Sequence, residues 1–428
     1  MKLHEMIEKS YQNFVDNAAN ARIILLHPRS RYRSILIARL VNAPDFNVYY
    51  YGLGPDDIKL SAFIYSITHD MAEQHPTFGR HINMLPQHVH EDMDTHFDVL
   101  LATFVRELEE ISEEPFLLVL DEYDRSDRAD DIQHFIEKLA RSLPEHCRLV
   151  LNSRTLPRLP WISMIAGGSA ILLEDDQIIS ERFYGTDLES EGLLEIFALG
   201  PGYVTVDGES IDQWEGHLPR LLFFFALDRP IVTRSDICRA FWPELDTDQA
   251  VNVFHVTKRR LHKALDMDVL VHDSGYYRVN PELDIYYDVL DFVTTLMQGR
   301  NEANPARLDA WQKAAMMYRG PFLQGHDDDW LLDRRVDFRA GYLEALSAIA
   351  NDWLARDGKE QALALYQKAI AADFGREEIH RKIISLYAEL GRRSEAIAHY
   401  RRVAEVIKKT QGAELAPDTQ ALYAEIMA

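Results

Sequence analysis

The sequence predicts a multidomain fold. An N-terminal α/β domain with parallel strands is followed by a small sheet, three helices and a β-hairpin, and then by an all-helical C-terminal third. Three observations carry this. Continuous apolar runs, each bounded by polar turns, recur in the first third, as expected for strands buried on both faces. From Gly192 the texture changes to short alternating segments broken by Gly-Pro-Gly and Asp-Gly. Beyond Asp284 the pattern is helical, and like residues recur at a step of 34 positions.

A chain of 428 residues with 47% apolar content is long enough for two to four domains with substantial cores. Its net charge of −23 repels nucleic acid as a whole, so any contact with DNA has to be carried by a local basic surface. The two cysteines, Cys147 and Cys238, fit neither a metal spacing nor a disulfide framework, which agrees with a reducing compartment. The first residues carry charges throughout and no apolar signal core, and no run approaches the length of a membrane span. A cytoplasmic protein with no membrane partner is expected.

In residues 1–190 an amphipathic helix reaches to about Ala21, and Arg22-Ile-Ile-Leu-Leu-His reads as a buried parallel strand. The next residues lead into another helix, giving the strand–turn–helix frame of a phosphate-binding loop. That loop asks for glycines, which let backbone N–H groups approach phosphates, and for Lys followed by Ser or Thr. Ser30 and Tyr32 stand where glycines are expected, Arg33 stands for the Lys, and Ser34 keeps the hydroxyl. A second strand, Pro115-Phe-Leu-Leu-Val-Leu, ends in Asp121-Glu122, a place suited to Mg²⁺ and water activation or, more simply, to polar strand-end residues. A third strand starts at Cys147 and runs into Ser153-Arg154-Thr-Leu-Pro-Arg-Leu159-Pro160. These segments resemble the nucleotide-binding domain of MalT-like signalling ATPases. The resemblance implies a P-loop-NTPase-like fold, and the substituted loop makes it a degenerate one. A scaffold or dimerisation role without ATPase activity or cofactor is expected. The alternative is an ATP-dependent switch in which Arg33, Ser34, Asp121 and Glu122 hold ATP and Mg²⁺. The helical lid and winged helix usual in such ATPases are not evident after Pro160.

In residues 191–283, Asp207-Gly208 marks one hairpin. Helices are expected at about Leu218 to Leu227 and Arg234 to Phe241, the latter capped by Thr233 or Ser235. The third helix, Ala250 to Leu265, has two faces. Ala250, Phe254, Thr257, Leu261 and Leu265 form a mostly apolar stripe, while Asn252, His255, Arg259 and His262 recur on another face, flanked by Lys258, Arg260 and Lys263. No acidic residue falls within that stretch. Arg pairs bidentately with guanine and Asn with adenine, and Lys holds phosphates. A second hairpin follows around Ser274-Gly275. Leu199-Gly200-Pro201, Phe241-Trp242-Pro243, Val256 to Leu265 and Gly275-Tyr276-Tyr277-Arg278 resemble the OmpR-type winged helix-turn-helix of the SARP group of bacterial regulators. The resemblance implies a helix in the major groove and a wing in the adjacent minor groove. Asn252, His255 and Arg259 are then expected to face bases, Lys258, Arg260, Lys263 and Arg278 to hold phosphates, and His262 to belong to the same surface. Trp242 and Tyr276 are expected to pack.

In residues 284–428, Ala362 and Ala396, Tyr366 and Tyr400, and Trp353 and Tyr387 keep the 34-residue step, a tetratricopeptide (TPR) signature in which small residues let helices approach and tyrosines fill the layer between pairs. Tyr318-Arg-Gly-Pro-Phe-Leu, Trp330, Ala396 to Tyr400 with Arg401-Arg402, and Glu414-Leu-Ala-Pro-Asp-Thr resemble the bacterial transcriptional activation domain that follows the winged helix in SARP proteins. That domain implies protein contacts, with RNA polymerase or as a homodimer. The expected whole is a transcriptional regulator binding double-stranded DNA at a direct-repeat or related site; a protein-interaction adaptor that no longer binds DNA is the remaining alternative. The α/β part precedes the winged helix here, whereas many large SARP relatives carry it afterwards.

Overall fold

The computed structural model describes residues 3–18, 21–26, 33–43, 45–93, 95–173, 194–229 and 231–427. The chain divides into two compact units, one formed by Met1–Ile196, Tyr203–Tyr286 and Asp328–Trp330, the other by Phe197–Gly202, Tyr287–Asp327 and Leu331–Ala428. Among the described residues no helix is long and apolar enough to cross a membrane.

The first unit opens on the amphipathic helix Leu3–Ala18 and a parallel sheet of β1 (Ile23–Leu26), β2 (Asn47–Gly52), β3 (Phe116–Asp121), β4 (Cys147–Asn152) and β5 (Ala170–Leu173), in the order β2-β3-β4-β1-β5. β1, β3 and β4 fall on the three apolar runs. β2 and β5 have no such signal: Asn47-Val-Tyr-Tyr-Tyr-Gly is a half-exposed edge strand, and Ala170–Leu173 is four residues long. Phe14, Ile24, Leu36, Leu40, Val119 and Val150 join the first helix, the helix Arg33–Val41 and the sheet in one core. Because every pairing described in the sheet is parallel, Gly52, Asp121 and Asn152 end at the same edge, where α/β folds place their sites.

The same unit continues into a four-stranded sheet of β6 (Leu194–Phe197), β7 (Tyr203–Val206), β8 (Glu209–Ser210) and β11 (Ile285–Tyr287), ordered β11-β6-β7-β8. Asp207 and Gly208, both at positive φ (50° and 78°), make the predicted turn between β7 and β8. Helices Leu218–Asp228, Arg234–Phe241 and Thr247–Leu265 follow, then a hairpin of β9 (Leu270–Asp273) and β10 (Tyr276–Val279). Ser274 and Gly275 turn it at φ 53° and 95°.

One buried guanidinium fastens these helices to the α/β part. Arg158, 2% exposed, reaches Asp130 at 2.7 Å and Asp236 at 2.5 Å, and donates to Thr233 Oγ1 at 3.2 Å. Thr233 and Asp236 are themselves the capping box of helix Arg234–Phe241, so the contact grips the helix by its N-terminus. Burial works against the charge of Arg158, but the two carboxylates outweigh it and its pKa is raised. Nearby, Arg229 meets Glu137 at 3.0 Å, with both side chains buried.

The second unit contains helices Asp288–Arg300, Arg307–Met317, Asp329–Ala355, Lys359–Ala372, Glu377–Glu389, Arg393–Gln411 and Pro417–Met427. Ala362 and Ala396 are fully buried near the starts of corresponding helices, so the 34-residue step is the repeat of one helix pair. Gly358 sits where a Cβ would come within 2.7 Å of the Trp353 ring and 3.1 Å of its carbonyl oxygen. Asp288, 1% exposed, accepts from the N–H groups of Ala198 (2.8 Å) and Leu199 (3.2 Å). Burial outweighs those donors and pushes its carboxyl up to about 6.

Two predictions follow from these buried charges. Arg158→Ala strands two carboxylates, and chemical denaturation should show a loss of about 3–5 kcal/mol. Arg158→Lys should recover little of it, because one ammonium cannot span both carboxylates and Thr233 as the planar guanidinium does. Asp288 has a folded pKa above its unfolded value, so its contribution to stability is complete below pH about 4 and is lost as pH rises through about 6. Measured across that window, the unfolding free energy of Asp288→Asn should rise relative to the native chain.

Candidate nucleic-acid interface

The basic helix starts earlier than its apolar stripe suggests. It spans Thr247–Leu265, with the Asp246 side chain capping the N–H of Gln249 and Asp248 in the first turn, so its N-terminal turn is acidic as helix N-termini favour. Ala250, Phe254, Thr257, Leu261 and Leu265 are buried, as the spacing requires. Thr257 keeps its hydroxyl satisfied by donating to the carbonyl of Val253 at 2.8 Å. Phe254 packs edge-on against Tyr277 of the hairpin, ring centroids 4.9 Å apart, which sets hairpin and helix side by side.

On the opposite face Asn252, His255 and Arg259 are exposed together with Val256. The flanking cations are arranged differently. Lys258 is half-buried with its ammonium 5.4 Å over the Tyr277 ring, and burial lowers its pKa. Lys263 and Arg260 reach Glu215 at 2.5 and 3.4 Å and hold its carboxyl below its usual range. Arg278 stands 3.4 Å from Asp273 across the hairpin. Such exposed pairs contribute little to stability.

His262 is a correction to the sequence expectation. Its Nδ1 lies 2.6 Å from Asp268 and its Nε2 accepts the Leu270 N–H at 3.3 Å. Both nitrogens are used inside the protein, and burial lowers the pKa, so the neutral ring ties the helix end to the start of the hairpin instead of standing free on the exposed face. The helical period puts His262 one turn from Arg259, but no periodicity shows that the chain folds back through Asp268 and Leu270.

At the carboxyl edge of the parallel sheet the two carboxylates of the nucleotide alternative are engaged within the protein. Asp121 accepts from Tyr50 Oη (2.9 Å), Asn152 Nδ2 (2.6 Å) and the Glu122 N–H (2.7 Å), so both its oxygens are engaged internally. Burial, and then the Asp121 carboxylate, push the Tyr50 hydroxyl up to about 12. Glu122, at φ 51°, turns its carboxylate to Arg125. Tyr50 and Asn152 escaped the sequence reading because their strand ends meet Asp121 only through sheet order. Arg33 opens its helix; Ser30 and Tyr32, on which the degenerate-loop expectation rests, lie outside the described residues, as does the Ser34 side chain.

Residues 287–427 match the family model of the bacterial transcriptional activator domain. The regulatory protein AfsR of Streptomyces coelicolor is 24% identical over 244 residues, 56% of this chain and 25% of that one, so the chain spans about a quarter of that relative's length. The activator-domain match and the likeness to AfsR support a SARP-type transcriptional regulator. The match to the activator domain begins at Tyr287, where the main part of the second unit begins. Among solved structures, EmbR of Mycobacterium tuberculosis, in complex with a low-affinity phosphopeptide, aligns with a TM-score of 0.45 and 23% identity over 55% of this chain and 65% of that one. A signal transduction ATPase with numerous domains and a tetratricopeptide repeat sensor, from Pyrococcus horikoshii, aligns at 0.24 and 12% over 97% and 66%.

The position of His262 is testable. His262→Ala removes the acceptor of a backbone N–H and should cost about 1–2 kcal/mol. Hydrogen exchange should accelerate at the Leu270 amide and leave the helix start, near Gln249, unchanged.

Proposed function

We propose that this chain is a sequence-specific, double-stranded-DNA-binding transcriptional regulator of the SARP type. In this reading helix Thr247–Leu265 and hairpin Leu270–Val279 act as recognition helix and wing, in adjacent major and minor grooves. The observation that carries it is the division of one helix into a fully packed apolar stripe and an exposed face of Asn252, His255 and Arg259, beside a hairpin packed on the same helix. Side chains with the donor and acceptor patterns of base edges stand where packing leaves them free. Lys258, Arg260, Lys263 and Arg278 supply phosphate contacts, the last three by exchanging an internal carboxylate for a phosphate oxygen. The α/β part is a non-catalytic scaffold: the hydrogen bonds at Asp121 favour a carboxylate fixed within the fold over one free for Mg²⁺. The helical unit serves RNA polymerase or a second copy of the chain, and the site of action is the cytoplasmic nucleoid.

Binding of the purified chain to duplex DNA from upstream of its own gene, over a salt series with and without ATP and Mg²⁺, tests this. Affinity should fall steeply as salt rises, because counterions are released, and ATP should leave it unchanged. Arg259→Ala should cost about 1–3 kcal/mol on the preferred sequence and relax the preference at one base pair. Salt-insensitive binding, or none, would remove this reading in favour of a protein-interaction adaptor.

A further inference from the structure

We propose that the α/β domain forms one wall of the DNA-binding surface, with Arg128 holding a phosphate of the strand that passes between the recognition helix and the wing. This rests on the DNA-binding reading above. A helix in one groove and a hairpin in the adjacent groove are separated by a single sugar–phosphate strand, so that strand has to cross the gap between them. Beside the start of the basic helix and the hairpin lies a cleft of about 850 Å³, lined by Val251 of that helix, by Tyr276 of the hairpin, by Arg234 and Arg239 of the preceding helix, and by Asp127 and Arg128 of the α/β domain.

Its chemistry is anion-binding. Arg128, Arg234 and Arg239 are exposed, and among the described residues none of them forms an ion pair, whereas most other arginines of this unit do. Of the two nearby acids, Asp130 is committed to the buried Arg158 and Asp127 accepts from Thr155 Oγ1 at 2.7 Å. A surplus of unpaired arginines in a chain of net charge −23 marks a place where an anion is expected. Arg128 does not reach the cleft on a loose loop. The segment around it is held by Asp130 on Arg158 and by the Tyr276 hydroxyl donating to the Asp127 carbonyl at 3.4 Å. The docked arrangement is therefore the working one, and the α/β domain adds a contact that the helices and hairpin alone lack.

The test is duplex-DNA affinity by fluorescence anisotropy on the full chain, over a salt series, with Arg128→Ala, Arg128→Lys, Arg259→Ala and Arg106→Ala. Arg106 pairs with Glu110 away from the cleft and controls for lost charge. Arg128→Ala should weaken binding about fivefold near physiological salt and reduce the magnitude of the salt slope by about 1, as for one lost phosphate contact. Arg128→Lys should restore most of the affinity, and Arg106→Ala should match the native chain. If Arg128→Ala binds as the native chain does while Arg259→Ala binds weakly, the wall is refuted and the recognition helix stands. Tighter binding by Arg128→Ala would make the α/β domain an obstruction and overturn the proposal. No binding by the native chain would overturn both readings.

Discussion

The first unit depends on Arg158. A guanidinium that is 2% exposed would be prohibitively costly alone; it persists because Asp130 comes from the α/β domain and Asp236 from the cap of a helix in the next region. Each carboxylate is held by the cation, and the cation could not be buried without them. The consequence is geometric. The N-terminus of helix Arg234–Phe241 is fixed to Arg158 in the segment after β4 and, through it, to Asp130 at the start of helix Asp130–Ser142, so the helices and hairpin cannot turn against the parallel sheet without separating buried charges. Arg229 and Glu137 add a second buried pair between the same two parts.

From this anchor the candidate interface is built by satisfying every group that faces inward. Thr257 returns its hydroxyl to the backbone, His262 uses both nitrogens on Asp268 and Leu270, and Phe254 and Tyr277 fill the seam between helix and hairpin. What remains exposed is what packing did not need. Asn252, His255 and Arg259 are thus presented by a rigid element, which suits recognition, since the cost of ordering is met by the fold before any ligand arrives.

Much of this was legible in the sequence where the signal was local. The stripe from Ala250 to Leu265 gave the buried face residue by residue, Asp207-Gly208 and Ser274-Gly275 gave both turns, and the 34-residue step gave the helix pairs. The strands lacking an apolar run, Asn47–Gly52 and Ala170–Leu173, were not legible, because an edge strand needs little burial and a four-residue run has no period. The role of His262 and the internal bonding of Asp121 were hidden for a different reason: each depends on partners brought by chain reversal or sheet order, such as Asp268, Tyr50 and Asn152. The docking through Arg158 is the extreme case, since Asp236 lies 78 positions away. In the sequence Arg158 is one more residue of a turn.

Charge decides how such a surface can work in an acidic chain. Two groups of cations around the helix differ in their partners. Arg260, Lys263 and Arg278 face Glu215 and Asp273, so a phosphate arriving there replaces a carboxylate and gains only the difference between two exposed pairs, which is small. Arg128, Arg234 and Arg239 pair with no carboxylate among the described residues, so a phosphate there would gain the full contact and its counterion release. The internal carboxylates thus shield part of the basic surface and leave an unshielded part in the cleft beside the hairpin. In a chain of net charge −23 an attraction of this kind acts at short range, because beyond about 10 Å at 0.1 M salt the local field is screened. On the DNA-binding reading proposed above, free cations on a surface whose other cations are already paired favour a docked geometry over general affinity for nucleic acid.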